Sequence, residues 1–396
     1  MQNRRVGKAN FHYLCNPMAD YSRLNYFNGL NALRFFAAYL VVLHHAEQIR
    51  MKYGLFHLKE LSLFNNGSVA VTFFFALSGF LISYLLLRES ESTGTVAVRK
   101  FYMRRILRIW PLYYLLVLVG ALLLPALLSY IRHSYEMPYR FGDVIAYFVL
   151  FAPFMVNIRF GHHLLEPLWS IGVEEVFYIF WAPLWKFFRR NIRWIIAGIF
   201  IVRILLMTGA ALYEWPDTVE QLIAMLQFEA MAMGGLAAYW LYHRKAPVEN
   251  SWMFSRSFQW VALTYIAAQL GAVRFLSSVW IGFEWLFQTP VISSSLMIMA
   301  FTWLIVNMAV NKNSVLKLDH PVFESLGDIS YGIYMYHMLV IFAVILFFQK
   351  FLAGLSPVLS TLVFYLLITS GTLVVASLSR HLFENKFLQL KTRFRK

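Results

Sequence analysis

Apolar runs of about 20 residues, the length a helix needs to cross a bilayer, recur from near position 30 to near position 380. They fall near 30–49, 68–87, 106–128, 142–158, 168–187, 192–212, 222–242, 256–275, 289–309, 329–349 and 357–380. Lipid offers no partner to backbone N–H and C=O groups, so crossing segments must be helical, and the runs lack the ten-residue alternation of a barrel. Composition agrees, at 60% hydrophobic and 14% charged residues against roughly 45–50% and about 25% for a soluble domain. The fold class expected is an all-α polytopic membrane protein. The runs leave no room for a separate soluble domain, so one transmembrane domain over 30–387 is read between an N-terminal tail, 1–29, and a basic tail, 388–396.

Lys and Arg number 35 against 20 for Asp and Glu, and they gather beside the apolar runs. Membrane insertion requires that of cations, so the excess implies a lipid bilayer and no nucleic acid. The clusters are Arg4, Arg5, Lys8 and Arg23; Arg88 to Arg108; Lys186 to Arg193; His243 to Lys245; Lys312 to Lys317; and Arg380 to Lys396. If all eleven runs cross, Lys186 and every later cluster land outside. If 142–158, the shortest, opened by Asp143 and interrupted by Pro153, enters and returns, every cluster lies on the cytoplasmic side. The expectation is therefore ten transmembrane helices plus one re-entrant or interfacial segment, with both termini cytoplasmic. The first 29 residues hold no apolar signal region, so the first span is expected to direct insertion. Cys15 is the single cysteine, which excludes an internal disulfide and a cysteine-cluster site; no metal is expected.

Ionisable side chains inside these runs carry the functional signal, because lipid makes them expensive. The first run, LNALRFFAAYLVVLHHAEQ, places Arg34 and His45 about 20° apart around a helix and about 16 Å apart along it, with His44 about 80° away on the other side. A long ligand with an anion at one end and a reacting centre at the other fits that face. The competing reading has Arg34 snorkelling to the interface and the histidines lying among headgroups.

In RKFYMRRILRIWPLYY, Arg104, Arg105 and Arg108 are three and four residues apart. A helix thus brings at least two guanidinium groups together, and their planar fork suits phosphate. A stop-transfer cluster is the plainer alternative. In PLWSIGVEEVFYIFWAP, Ser170, Glu174 and Tyr178 form one helical stripe. Glu174 is placed at the depth of His45, where a carboxylate would orient the imidazole as a base, while Glu175 is expected to meet a cation or water. Arg203 and Glu229 are read as an ion pair. Tyr331, Tyr334 and His337 lie along SYGIYMYHMLVI, and Glu384 closes SRHLFENKF.

Six segments, in order, resemble the acyltransferase-3 family, membrane O-acyltransferases of bacterial surface and periplasmic glycans. They are LNALRFFAAYLVVLHHA, VTFFFALSGFLI, FYMRRILRIWPLYY, LWSIGVEEVFYIFW, SYGIYMYHMLVI and SLSRHLFEN, and they run from about residue 28 to about residue 387. The resemblance implies that His45 is the catalytic histidine and Arg34 its paired arginine. It maps the arginine pair for acyl-CoA phosphates onto Arg105 and Arg108, the acid of the VEE motif onto Glu174 and the terminal acid onto Glu384. Proline usually follows that last acid by two positions; Lys386 does here. Ser170, Tyr178, Tyr334 and His337 are supporting candidates.

The resemblance further implies a bacterial cytoplasmic (inner) membrane and acetyl-CoA or another short acyl-CoA as co-substrate. The acceptor would be a hydroxyl of a glycan or lipid-linked sugar, with His45 as general base or transient acyl carrier. Some members carry a C-terminal SGNH-type extension not seen in this sequence, so transfer is expected to proceed alone or with a separate periplasmic partner. The rival reading is a proton-coupled exporter of a sugar or lipid using the intramembrane acids and histidines as a relay, which needs no arginine pair.

Overall fold

The computed structural model describes residues 19–24, 26–27, 29–131, 139–161 and 163–394. Arg4, Arg5, Lys8, Cys15, Arg395 and Lys396 lie outside the described residues. Among those described, all regular structure is helical, as an apolar chain without barrel alternation requires.

The centre of the bundle is built on α1 (Leu30–Lys52) and α2 (Gly67–Thr93). The chain enters α1 through Gly29 at φ +69°, packed on Met308, and α2 ends at Gly94 with φ +77°, left-handed positions where glycine escapes the Cβ penalty. α2 packs against α1, α10 (Phe228–His243) and α14 (Pro290–Val310), and its buried residues occupy every face. Its contact with α10 is backbone on backbone: a Cβ at Gly79 would land on the Met231 carbonyl, and one at Gly234 on the Ala76 carbonyl. Small residues let helices approach this closely where lipid gives no hydrophobic drive to associate. α16 (Ser330–Ala353) covers the other side of α1 and pairs with α17 (Pro357–Ser379).

The third run is continuous from α3 (Val98–Val117) through a π-helical stretch, Leu118–Leu123, into α4 (Leu124–Ile131). The 142–158 run forms two short helices, α5 (Phe141–Val149) and α6 (Pro153–Phe160). They break at Phe151, which has φ +54° and stacks on Tyr113 with ring centroids 4.7 Å apart. At about 13 and 12 Å, neither helix reaches across a hydrocarbon core of about 30 Å.

α7 (Leu168–Phe188) and α8 (Ile192–Leu212) are joined by a 3-10 turn at Arg189–Asn191. The chain doubles back there, because α9 (Asp217–Met225), which follows α8, packs on α6 and α7. The 222–242 run is interrupted between α9 and α10 but still forms one span-length segment, Asp217–His243. One further run differs from its sequence reading: the 256–275 run bends by 96° between α11 (Arg256–Gly271) and α12 (Val273–Val279). α13 (Ile281–Gln288) then leads to α14, and α15 (Pro321–Asp328) packs on α1 before α16. A second π-helical turn, Arg380–Glu384, joins α17 to α18 (Asn385–Lys391), which packs on α3. The domain boundary drawn at 387 falls inside α18.

Seven helical segments among the described residues are long and apolar enough to cross a membrane, or eight if the bent α11–α12 pair is one span. The chain is a multi-pass membrane protein. The expected ten is not what length and apolarity return, for two physical reasons. α1 is diluted by Asn31, Arg34, His44, His45 and Glu47, and the doubled-back Leu168–Leu212 counts as one run of 45 residues.

Candidate active site

The polar residues of the bundle form two groups at opposite ends of α1. At one end, Arg34 donates to Asn31 Oδ1 at 3.0 Å, three residues back on the same helix face. Asn31 in turn donates to Glu324 of α15 at 2.8 Å, which also accepts from Tyr26. Arg105 and Arg108 lie within electrostatic reach of Arg34. The Arg105 guanidinium sits 5.7 Å from the Phe101 ring centroid and 5.8 Å from that of Tyr178, and its buried Nε has no hydrogen-bond partner. Arg108 makes no hydrogen bond or ion pair among the described residues, with Glu384 within electrostatic reach. Asp328 lies within electrostatic reach of Arg34, while Glu174 and Glu384 are hydrogen-bonded to other groups. Tyr178 donates to Glu174, leaving Ser78 to donate to the Tyr178 oxygen, and Ser379 donates to Glu384 at 3.0 Å, on the π-helical turn.

At the other end of α1, His45 is 6% exposed. Its Nδ1 lies 3.2 Å from Gln48 Oε1, an amide oxygen that only accepts, so Nδ1 carries the proton and Nε2 keeps its lone pair. The His337 ring of α16 is tilted against His45 with centroids 5.2 Å apart. His337 Nδ1 donates to the Tyr334 carbonyl at 2.6 Å, and its buried Nε2 has no partner. Tyr334 donates to the Pro167 carbonyl at 2.9 Å and accepts from Ser170 at 2.7 Å. Glu166 is within electrostatic reach of His45. His44 meets the His45 ring edge-on, with centroids 5.2 Å apart, but its Nδ1 lies 3.2 Å from the Phe64 carbonyl and its ring covers Gly67 at the start of α2.

This arrangement bears on three expectations. Glu174 is grouped with the guanidiniums and Tyr178, not with His45, because each turn of α7 carries the stripe about 6 Å farther from Ser170 at the histidine end. Glu175 accepts from Trp110 Nε1 at 3.2 Å and has Arg105 within electrostatic reach, in keeping with a neighbouring cation. Arg104 is drawn off the arginine group by Glu89 at 2.8 Å and the Phe394 carbonyl at 3.1 Å. Tyr331 donates to the Ile109 carbonyl at 3.2 Å, and Arg203 and Glu229 form an ion pair at 3.0 Å. No group of three or more metal-ligating side chains occurs among the described residues.

The family described as "Acyltransferase domain" matches residues 27–381, nearly the whole chain. The chain belongs to the acyltransferase-3 family. It is 24% identical over 392 residues to a Staphylococcus aureus (strain COL) protein named "Putative O-acetyltransferase", covering 93% of this chain and 58% of that protein. It is 24% identical over 246 residues to the peptidoglycan O-acetyltransferase OatA of Listeria monocytogenes, covering 58% of this chain and 36% of OatA. Against nodulation protein 10 of Rhizobium leguminosarum bv. viciae it is 25% identical over 392 residues, covering 92% of this chain and 94% of that protein. The match thus spans little more than half the length of the first of these and about a third of the second. No solved structure matches.

Within this acyltransferase-3 chain, Asn31, Gln48, Glu166, Glu324 and Trp110 escaped the sequence reading. Asn31 and Gln48 were within reach, each three residues from a candidate on α1. Glu324 and Glu166 arrive from other segments, with no local signal.

Proposed function

We propose that this chain is a membrane-embedded O-acyltransferase moving an acyl group, acetyl in the first instance, from acyl-CoA to a hydroxyl of a cell-envelope glycan or lipid-linked sugar. The observation that carries the reading is the two-ended site on α1. Three guanidiniums, Arg34, Arg105 and Arg108, crowd inside the bundle; Glu174 and Glu384 beside them are hydrogen-bonded to other groups, and Asp328 lies within electrostatic reach of Arg34. Like charges so placed call for an anion, and the phosphates of CoA supply one. About 16 Å along the same helix, His45 offers a lone pair on Nε2, within reach of a pantetheine arm.

His45 Nε2 takes the proton of the acceptor hydroxyl as its oxygen attacks the thioester carbonyl. The C–S bond breaks, and the CoA thiolate leaves and is protonated. Gln48 holds the required tautomer, and Tyr334 and Ser170 hold His337 against the imidazole. The donor enters at the arginine end, taken as cytoplasmic, and the acceptor meets it at the other. A cell-envelope acceptor is favoured by similarity to the peptidoglycan O-acetyltransferase OatA.

Ten crossings in a bacterial inner membrane, with both termini cytoplasmic, complete the proposal. The support is that α7 and α8 double back, that α1 lies at the bundle centre despite its charges, and that α5 and α6 are each too short to cross.

The test uses the purified full chain with acetyl-CoA and solubilised envelope glycan. Acceptor-dependent release of CoA thiol and acetyl ester on the glycan are expected. Absence of both, with folded protein and each of several short acyl-CoA donors, overturns the reading. Acetyl-CoA-independent movement of sugar across a vesicle membrane would favour the exporter.

A further inference from the structure

A cavity of about 370 Å³ opens where the α2–α3 loop meets the turn between α7 and α8. Lys186, Arg189, Arg190 and Asn191 line one wall, and Gly94, Thr95 and Val96 of the loop line the other. Three cations face the cavity and no carboxylate lines it. The nearest acids are committed: Glu89 accepts from Arg104 and from the Ala97 backbone, and Glu91 accepts from Tyr242. Arg189 is aimed by a 2.5 Å hydrogen bond to Ser90 Oγ, also in the lining. Arg190 has no hydrogen bond or ion pair among the described residues. Phe187 and Phe188 complete the wall and are 69% and 52% exposed, and Trp194, one turn into α8, is 77% exposed.

We infer that this cavity binds the phosphate headgroup of an anionic phospholipid. Basic pockets between membrane helices take such headgroups, and exposed aromatic rings at a span's end mark the headgroup level. Paired guanidiniums match phosphate oxygens through their planar forks. The cavity is separate from the arginine group of the proposed active site, because Arg189 lies eleven residues along α7 from Tyr178, about 16 Å. The inference therefore stands apart from the proposed chemistry.

The experiment uses the full chain in phosphatidylcholine nanodiscs, titrated with short-chain phosphatidylglycerol, with bound lipid counted by native mass spectrometry. Saturable retention of phosphatidylglycerol is expected for the unaltered chain. Arg189→Gln with Arg190→Gln should weaken it by about tenfold or more, as loss of two charge-assisted contacts implies. Lys312→Gln with Lys317→Gln removes charge outside the cavity and should change nothing. Should the first pair fail to fold, Arg190→Gln alone carries the test, since that side chain has no partner to lose. Equal losses in both lysine and arginine pairs would reduce the effect to diffuse surface charge and overturn the site. Undiminished binding in the arginine pair, or displacement of the lipid by acetyl-CoA, also overturns it, the latter reassigning the cavity to the donor's phosphates.

Discussion

His44 and His45 touch ring edge to face, yet their ring nitrogens serve different partners in the bundle. His45 meets His337 and is oriented by Gln48, whereas His44 points to the Phe64 carbonyl and Gly67. His45→Ala should lower acyl transfer by about 100-fold or more, the usual worth of a general base, with acyl-CoA binding retained. His44→Ala should keep substantial activity; the reverse pattern in CoA release by folded variants would place the chemistry on the wrong face. Among the arginines, Arg105→Ala or Arg108→Ala should weaken donor binding by about 1.5–3 kcal/mol, with Lys a partial rescue. Arg104→Ala should weaken it far less, because Glu89 already holds that guanidinium. Glu174 is hydrogen-bonded to Tyr178 but still lies within electrostatic reach of Arg34 and Arg105. Glu174→Gln therefore removes a through-space negative field that opposes phosphate, and donor KM should fall by about fivefold, roughly 1 kcal/mol, with a smaller fall for Glu175→Gln. Titration of both variants with acetyl-CoA checks this. Helical phase on one helix was legible from spacing alone, including the two ends of α1. The depth of Glu174 relative to His45 depends on how α7 is offset against α1, and no residue in either helix announces that offset.

The helices that hold these residues are fixed by small side chains and by breaks in regular winding. Gly79 and Gly234 bring α2 and α10 into backbone contact, so Gly234→Leu should destabilise the bundle by at least the roughly 1–3 kcal/mol of ordinary overpacking, read as a lower melting temperature in detergent. The apolar runs announce where helices form, and the glycine in SGF is visible as a small residue. Which helix it meets is not visible, because α10 lies far along the chain. Glu384 sits on a π-helical turn, a winding that often accompanies functional side chains. That turn extends the helix past the boundary composition suggested, because its hydrogen-bond pattern, not its hydropathy, carries the chain into α18.

Across the molecule, every described basic cluster lies at the arginine end of α1 when the helices are followed in order through the doubled-back α7–α8 pair. Reporter fusions after Arg190 and after Lys245 should both report the cytoplasm, and finding both outside would overturn the ten-crossing topology. The overall class was legible because hydropathy is a local property. The bend within 256–275 was not, since tertiary packing decides whether an apolar run stays straight. One consequence follows from α1 carrying Arg34 and His45 on a single unbroken helix. On the proposed reading the acyl group crosses about half of the hydrocarbon core, roughly 16 of 30 Å, by the reach of its own carrier, so the protein has no need to rock between inward-open and outward-open shapes. Transfer is then vectorial without alternation. Covalently locking α2 to α10 should leave turnover intact, whereas one extra residue between Arg34 and His45 would swing the imidazole by about 100° and uncouple the two sides of the membrane.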